Sequence, residues 1–92
     1  MKTFRIKFFT KKAGARFENF RFAVSAFGDK AAAFKEGREE LIRIARLDQH
    51  GDNDQEIEES IHSLQNGGGN SYYYDQTLWT FKVFSKKNEV KE

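Results

Sequence analysis

Two stretches of the chain concentrate the residue types that can bind something. Residues 4–22 read FRIKFFTKKAGARFENFRF, and the first 22 residues hold seven cations and six phenylalanines against one carboxylate, Glu18. Cations neutralise phosphates and flat rings stack on bases, so this mixture is the composition of a platform for single-stranded nucleic acid. It is equally the composition of a half-buried hairpin with a solvated outer face. The second stretch is acidic. Residues 48–59 contain Asp48, Asp52, Asp54, Glu56, Glu58 and Glu59 and no Lys or Arg. Carboxylates at this density could hold a hard cation or suit the positive end of a helix dipole.

Metal and catalytic readings find little to stand on. Read as a calcium loop, DQHGDNDQE would place at position 53 the glycine of an EF-hand, and position 53 is asparagine. Glu59 occupies the place of the last ligand, but without the glycine the turn is wrong. His50 and His62 are twelve residues apart in a chain without cysteine, which matches no zinc spacing. The same lack of cysteine excludes disulfides and thiolate chemistry. Ser25, Ser60, Ser63, Ser71 and Ser85 have no readable base partner, and NGGGN at 66–70 lacks the lysine of a phosphate loop. The expectation is a protein that is not an enzyme and needs neither metal nor cofactor.

The elements that must position the first stretch follow from periodicity. Lys2 to Phe9 alternates, with Phe4, Ile6 and Phe8 on one side and Thr3, Arg5, Lys7 and Phe9 on the other, the pattern of a β-strand. TKKAGAR is a turn in which Gly14 can adopt a positive φ. A second strand follows, with Phe20, Phe22, Val24 and Ala26 on one face and Phe17, Asn19, Arg21, Ala23 and Ser25 on the other. Residues 29–49 have helical spacing, with Asp29 as cap, Gly51 as stop and Gly37 as a point of close approach to the sheet. A shorter helix spans about 55–65, with Asn53 and Glu56 spaced as a capping box and Ile57, Ile61 and Leu64 as its apolar stripe. NGGGNS breaks the chain. YYYDQTLWTFKVF then reads as a long strand, of which residues 72–75 could be a separate short one. SKKNEVKE reads as a frayed tail.

These elements predict an α+β fold with order β-β-α-α-β. A small antiparallel sheet has two helices on one face, in one domain over 1–85 with a flexible tail over 86–92. Phe4, Ile6, Phe8, Phe20, Phe22, Val24, Phe34, Leu41, Ile44, Trp79 and Phe81 are the expected core. A register pairing Phe9 with Phe17, Ile6 with Phe20 and Phe4 with Phe22 keeps them on one side and turns Glu18 inward. It also sets Arg5 across from Arg21, a like-charge pair that a bound phosphate would relieve. Arg5, Lys7, Lys11, Lys12, Arg16 and Arg21 would then form one basic face. Phe9, Phe17, Tyr72 and Tyr73 are its aromatic companions, the two tyrosines being read as interface residues rather than core.

RFENFRFA at 16–23 has aromatic spacing like that of an RNA-recognition strand, but the glycines and the βαββαβ order of that module are missing. A broader resemblance lies in the hairpin RFENFRFAVSA followed at once by the alanine-rich helix DKAAAFKEGREELIRIA. Over roughly residues 2–47 the chain resembles small phage-encoded anti-CRISPR proteins, especially inhibitors of type I surveillance complexes. The resemblance implies a stoichiometric inhibitor that binds a CRISPR RNA–protein complex and blocks its access to DNA. It carries over no site residues. Two other expectations come from the residues themselves: a phage or plasmid accessory protein that binds DNA or RNA, and a protein-only interaction module. No apolar run is long enough to cross a membrane and no signal peptide is legible, so the expected location is the cytoplasm, that of the host cell if the chain is phage-encoded. Dialysis against EDTA is expected to leave the melting temperature unchanged, and a large loss of stability would reveal a structural metal.

Overall fold

A computed structural model describes residues 2–67 and 69–85. The chain runs β1 (Lys2–Lys12), β2 (Asn19–Gly28), α1 (Lys30–Leu47), α2 (Asp54–Gly67), β3 (Ser71–Tyr74) and β4 (Thr77–Ser85). The four strands form one antiparallel sheet in the order β2-β1-β4-β3. Both helices lie on one face, as the alternation of the strands requires. The tail expected over 86–92 lies outside the described residues.

Of the two readings of the last stretch, the separate short strand holds: the stretch forms β3 and β4. Tyr74 pairs with Thr77, so Asp75 and Gln76 form a two-residue hairpin loop, both with positive φ (53° and 65°). Positive φ at both central positions is the type I′ geometry that matches the twist of a tight hairpin. Asp suits the first of these positions, but Gln stands at the second where Gly is usual, so the turn lacks the common two-residue signature. At the same end of the sheet, Ala13 N–H donates to the carbonyl of Gln76 at 2.8 Å, tying the β1–β2 loop to the β3–β4 turn. Gly14 has the expected positive φ of 85°.

The β1–β2 register differs from the expected one by four residues. Phe4 lies opposite Ala26, Ile6 opposite Val24 and Phe8 opposite Phe22, and Arg5 faces Ser25 rather than Arg21. The strands run on to Lys2 opposite Gly28, which finds partners for the backbone of residues 25–28 that the tighter register leaves unpaired. Between Phe8 and Phe9 the register shifts, and Arg21 is the extra residue of a β-bulge. Past the bulge the faces exchange. Phe20 therefore pairs with Phe9 on the open side, 57% exposed, and is not core. Glu18 points outward as well, its carboxylate 3.3 Å from the Lys82 ammonium.

The core sits between the sheet and the helices. Phe8, Phe81, Ile6, Leu41, Ile57 and Ile61 are its largest fully buried side chains, and Phe22, Val24, Phe34 and Trp79 pack against its margin. Phe8 stacks on Phe22 with centroids 4.6 Å apart, and Phe81 meets both Phe8 (5.9 Å) and Phe34 (5.7 Å). The carboxylate of Asp29 caps α1, accepting from Ala32 N–H at 2.8 Å. Asn53 does not form the expected capping box. It is buried in the α1–α2 loop, where its Oδ1 accepts from His50 N–H (3.0 Å) and its Nδ2 donates to the Asp48 carbonyl (2.8 Å) and Tyr74 Oη (2.6 Å).

Gly37 is where α1 touches the sheet. A Cβ there would lie 2.6 Å from the Phe81 ring. Gly37→Ala is therefore expected to lower stability by about 1–3 kcal/mol through overpacking, even though alanine is the better helix former by about 1 kcal/mol. A shift of the urea midpoint in the opposite direction would show that α1 can lift off Phe81 at no cost. Adding Phe81→Leu to the variant is expected to recover part of the loss.

Candidate nucleic-acid interface on the open sheet face

The helices cover Phe4, Ile6, Phe8 and Thr10 of β1, so strict alternation sends Arg5, Lys7, Phe9 and Lys11 to the other side. In β4, Phe81 is buried and Trp79 packs on the core, which turns Leu78, Thr80, Lys82 and Phe84 the same way as Arg5 and Lys7. Cross-strand pairing then sets Arg5 beside Phe84, Lys7 beside Lys82 and Phe9 beside Thr80. β2 adds Phe20, edge-on to Phe9 at 5.8 Å, and β3 adds Tyr73 opposite Leu78.

Lys7 and Lys82 face each other directly, which is unfavourable for like charges. Each ammonium turns instead over a ring on the neighbouring strand, and that of Lys82 also lies 3.3 Å from the Glu18 carboxylate. Lys7 Nζ lies 5.0 Å from the Phe84 centroid, and Lys82 Nζ lies 5.0 Å from that of Phe9. Exposed cation–π contacts of this kind contribute about 0.5–1 kcal/mol each. Arg5 is half-buried between Ser25 and Phe84, and its Nε has no hydrogen-bond partner. A sequestered donor without an acceptor is costly.

The structure brings together part of the expected site. Arg5, Lys7, Phe9 and Lys11 share the open face with Tyr73, which is 56% exposed. Lys12 alternates to the other side of β1, and Arg16 and Phe17 sit in the exposed β1–β2 loop. Arg21 stands apart. The bulge turns it to the helix side, where its guanidinium lies 6.0 Å from the Trp79 centroid, so there is no Arg5–Arg21 pair and no single basic surface containing both. Tyr72 is also a correction. It is 3% exposed and belongs to the core rather than to an interface. The members missed from sequence are Phe20, Lys82 and Phe84. The alternation of β4 already put Lys82 and Phe84 on this face, but nothing local signals the bulge that brings Phe20 there.

Tyr72 has a structural task. Its phenol donates to Asp48 Oδ2 at 2.8 Å, joining β3 to the end of α1. Burial, then the hydrogen bond and charge of Asp48, push its pKa well above the ordinary tyrosine value. Among the described residues no group of three or more His, Asp or Glu side chains could hold a metal ion. His62 shares hydrogen bonds with Asn66 on the exposed side of α2. No helix among the described residues is long and apolar enough to cross a membrane.

The raised phenol pKa has a signed consequence. Below pH ~10 the phenol is protonated in both the folded and the unfolded chain, so its contribution is fully present. Above ~10 the unfolded chain loses the proton while the folded one keeps it, so stability falls by up to about 1.4 kcal/mol per pH unit from this group. Urea midpoints at pH 8 and pH 11 are expected to differ less for Tyr72→Phe than for wild type, and equal pH dependence would remove Tyr72 from this role. No protein-family model, no curated protein and no solved structure matches the chain.

Proposed function

We propose that the chain is a non-enzymatic binding protein whose open sheet face takes a single strand of nucleic acid, offered by a ribonucleoprotein complex. One observation carries this reading: Lys7 and Lys82, side by side in the centre of the sheet, each cover an aromatic ring. A phosphate near the two ammoniums relieves their repulsion and draws them off Phe84 and Phe9. The bared rings, with Phe20 and Tyr73, then offer stacking surfaces for bases, each worth about 1–3 kcal/mol in such platforms. Arg5, on the same face beside Phe84, adds a further positive charge.

A second feature supports the narrower form of this reading, a stoichiometric inhibitor of a CRISPR surveillance complex that blocks target DNA. The exposed acids Asp54, Glu56, Glu58 and Glu59 lie on α2, in the layer on the far side of the sheet from Arg5, Lys7 and Lys82. A complex that presents both RNA and cationic DNA-binding channels would engage both sides.

The test is fluorescence anisotropy with single-stranded RNA and DNA oligonucleotides, set beside binding to a purified type I surveillance complex, at two salt concentrations. Binding to naked strands supports a nucleic-acid accessory protein; binding to the complex alone supports the inhibitor. In either case the Lys7→Glu, Lys82→Glu variant is expected to bind at least about tenfold more weakly and with a shallower salt slope, since two phosphate contacts are lost. Unchanged affinity and slope in a folded variant would return the face to solvent.

A further inference from the structure

The sheet has two edges of very different character. β3 is four residues long, whereas β2 runs for ten residues with its outer side unpaired. Proteins blunt long edges with lysines, prolines or bulges. Along β2 the single charge, Arg21, and the bulge both sit toward one end, and Phe22–Gly28, FAVSAFG, carries no charge and no proline. Its Phe27 is 65% exposed. An unblunted edge of this length is fitted to receive another strand.

We infer that the other strand is β2 of a second copy, paired antiparallel about a two-fold axis at Ser25. This register is self-complementary in size and charge. It sets exposed Phe27 against Ala23 of the copy, half-buried Val24 against small Ala26, and Phe22 against Gly28. It also sets Arg21 against the carboxylate-bearing position 29, and the Arg21 guanidinium, now 6.0 Å from the Trp79 centroid, is the only β2 charge that needs a counterion. Opposite charges and large-against-small pairs across strands are each stabilising. The axis stands normal to the sheet, so the two sheets become one of eight strands, and the two Arg5–Lys7–Lys82 faces lie on the same side. At about 4.8 Å between strands, the joined face is roughly twice as wide as that of one chain. The inference rests on the sheet edge and is independent of what binds the sheet face.

Edge pairing of this extent is a small interface, so sedimentation equilibrium is run from about 1 μM to 1 mM protein. The mass is expected to rise from one chain to two. Phe27→Ala is expected to weaken self-association about tenfold or more, the loss of one aromatic anchor, and Ser25→Lys, which places like charges on the axis, is expected to abolish it; circular dichroism checks that both fold. The register is read by cross-linking, since the chain has no cysteine of its own. Facing Cα atoms at the axis are about 4.5–5.5 Å apart, within disulfide reach. Ser25→Cys is expected to oxidise to a dimer. Ala23→Cys and Phe27→Cys are expected to cross-link when mixed and not singly. A single-chain mass at every concentration overturns the inference and leaves the edge to a strand of another protein. A dimer that ignores these cysteines and tolerates Ser25→Lys overturns it too, because it is then built on another surface.

Discussion

The absence of a Cβ at position 37 sets how closely α1 approaches the sheet. Phe81 fills that space from β4, and the rings of Phe34, Phe8 and Phe22 and the indole of Trp79 gather around it in a continuous aromatic series. Because α1 is seated there, Leu41, Ile44 and Ala45 are buried. α2 in turn presents Ile57, Ile61 and Leu64 to the same core, and Arg46–Glu58 (3.1 Å) bridges the exposed seam between the helices. An exposed ion pair of this kind adds little energy. The buried Asn53, bonded to the loop and to Tyr74, does more to fix where α2 begins relative to β3.

Covering one face of the sheet so fully leaves the other with everything the alternation rejects. On a soluble sheet these would be short polar side chains. Here they include long cations and rings, and two of the cations, Lys7 and Lys82, lie over the rings of Phe84 and Phe9. The face thus satisfies its own charges only weakly, through two cation–π contacts and the exposed Lys82–Glu18 ion pair. The acidic helix, on the far side of the sheet, gives the molecule an electrical polarity that its net charge of +2 conceals.

Much of this was legible from side-chain period. Phe4, Ile6, Phe8 and Phe81 are buried as their alternation requires, the Ile57–Ile61–Leu64 stripe faces inward, Asp29 caps α1, and Gly37 meets the sheet. The pairing partners were not legible, for a physical reason. A slip of four residues is even, so it leaves every side chain on its original face and no hydrophobic pattern opposes it. The bulge at Arg21 is hidden in the same way, because Phe20 and Phe22 share a parity that only the extra residue breaks. Tyr72 and Tyr73 are chemically equal in sequence; the β3–β4 register, which sets Tyr72 opposite Trp79 and Tyr73 opposite Leu78, decides which one is buried. The candidate face was therefore partly readable: the alternation of β1 and β4 placed their members, and Phe20 of β2 required the bulge.

β1 and β4 are neighbours at the centre of the sheet, with Phe4 opposite Ser85. The two strands that hold the sheet together are thus the first and the last of the described elements in chain order. Until β4 pairs, β1 has one partner and an open flank, Phe8 lacks Phe81, and α1 has nothing to fill the hollow at Gly37. Pairing across nearly the whole chain is the kind of contact that slows folding, since the intervening loop must close before it is rewarded. Any truncation that removes β4 leaves Phe8 without its ring partner Phe81, the hollow at Gly37 unfilled and one flank of β1 unpaired.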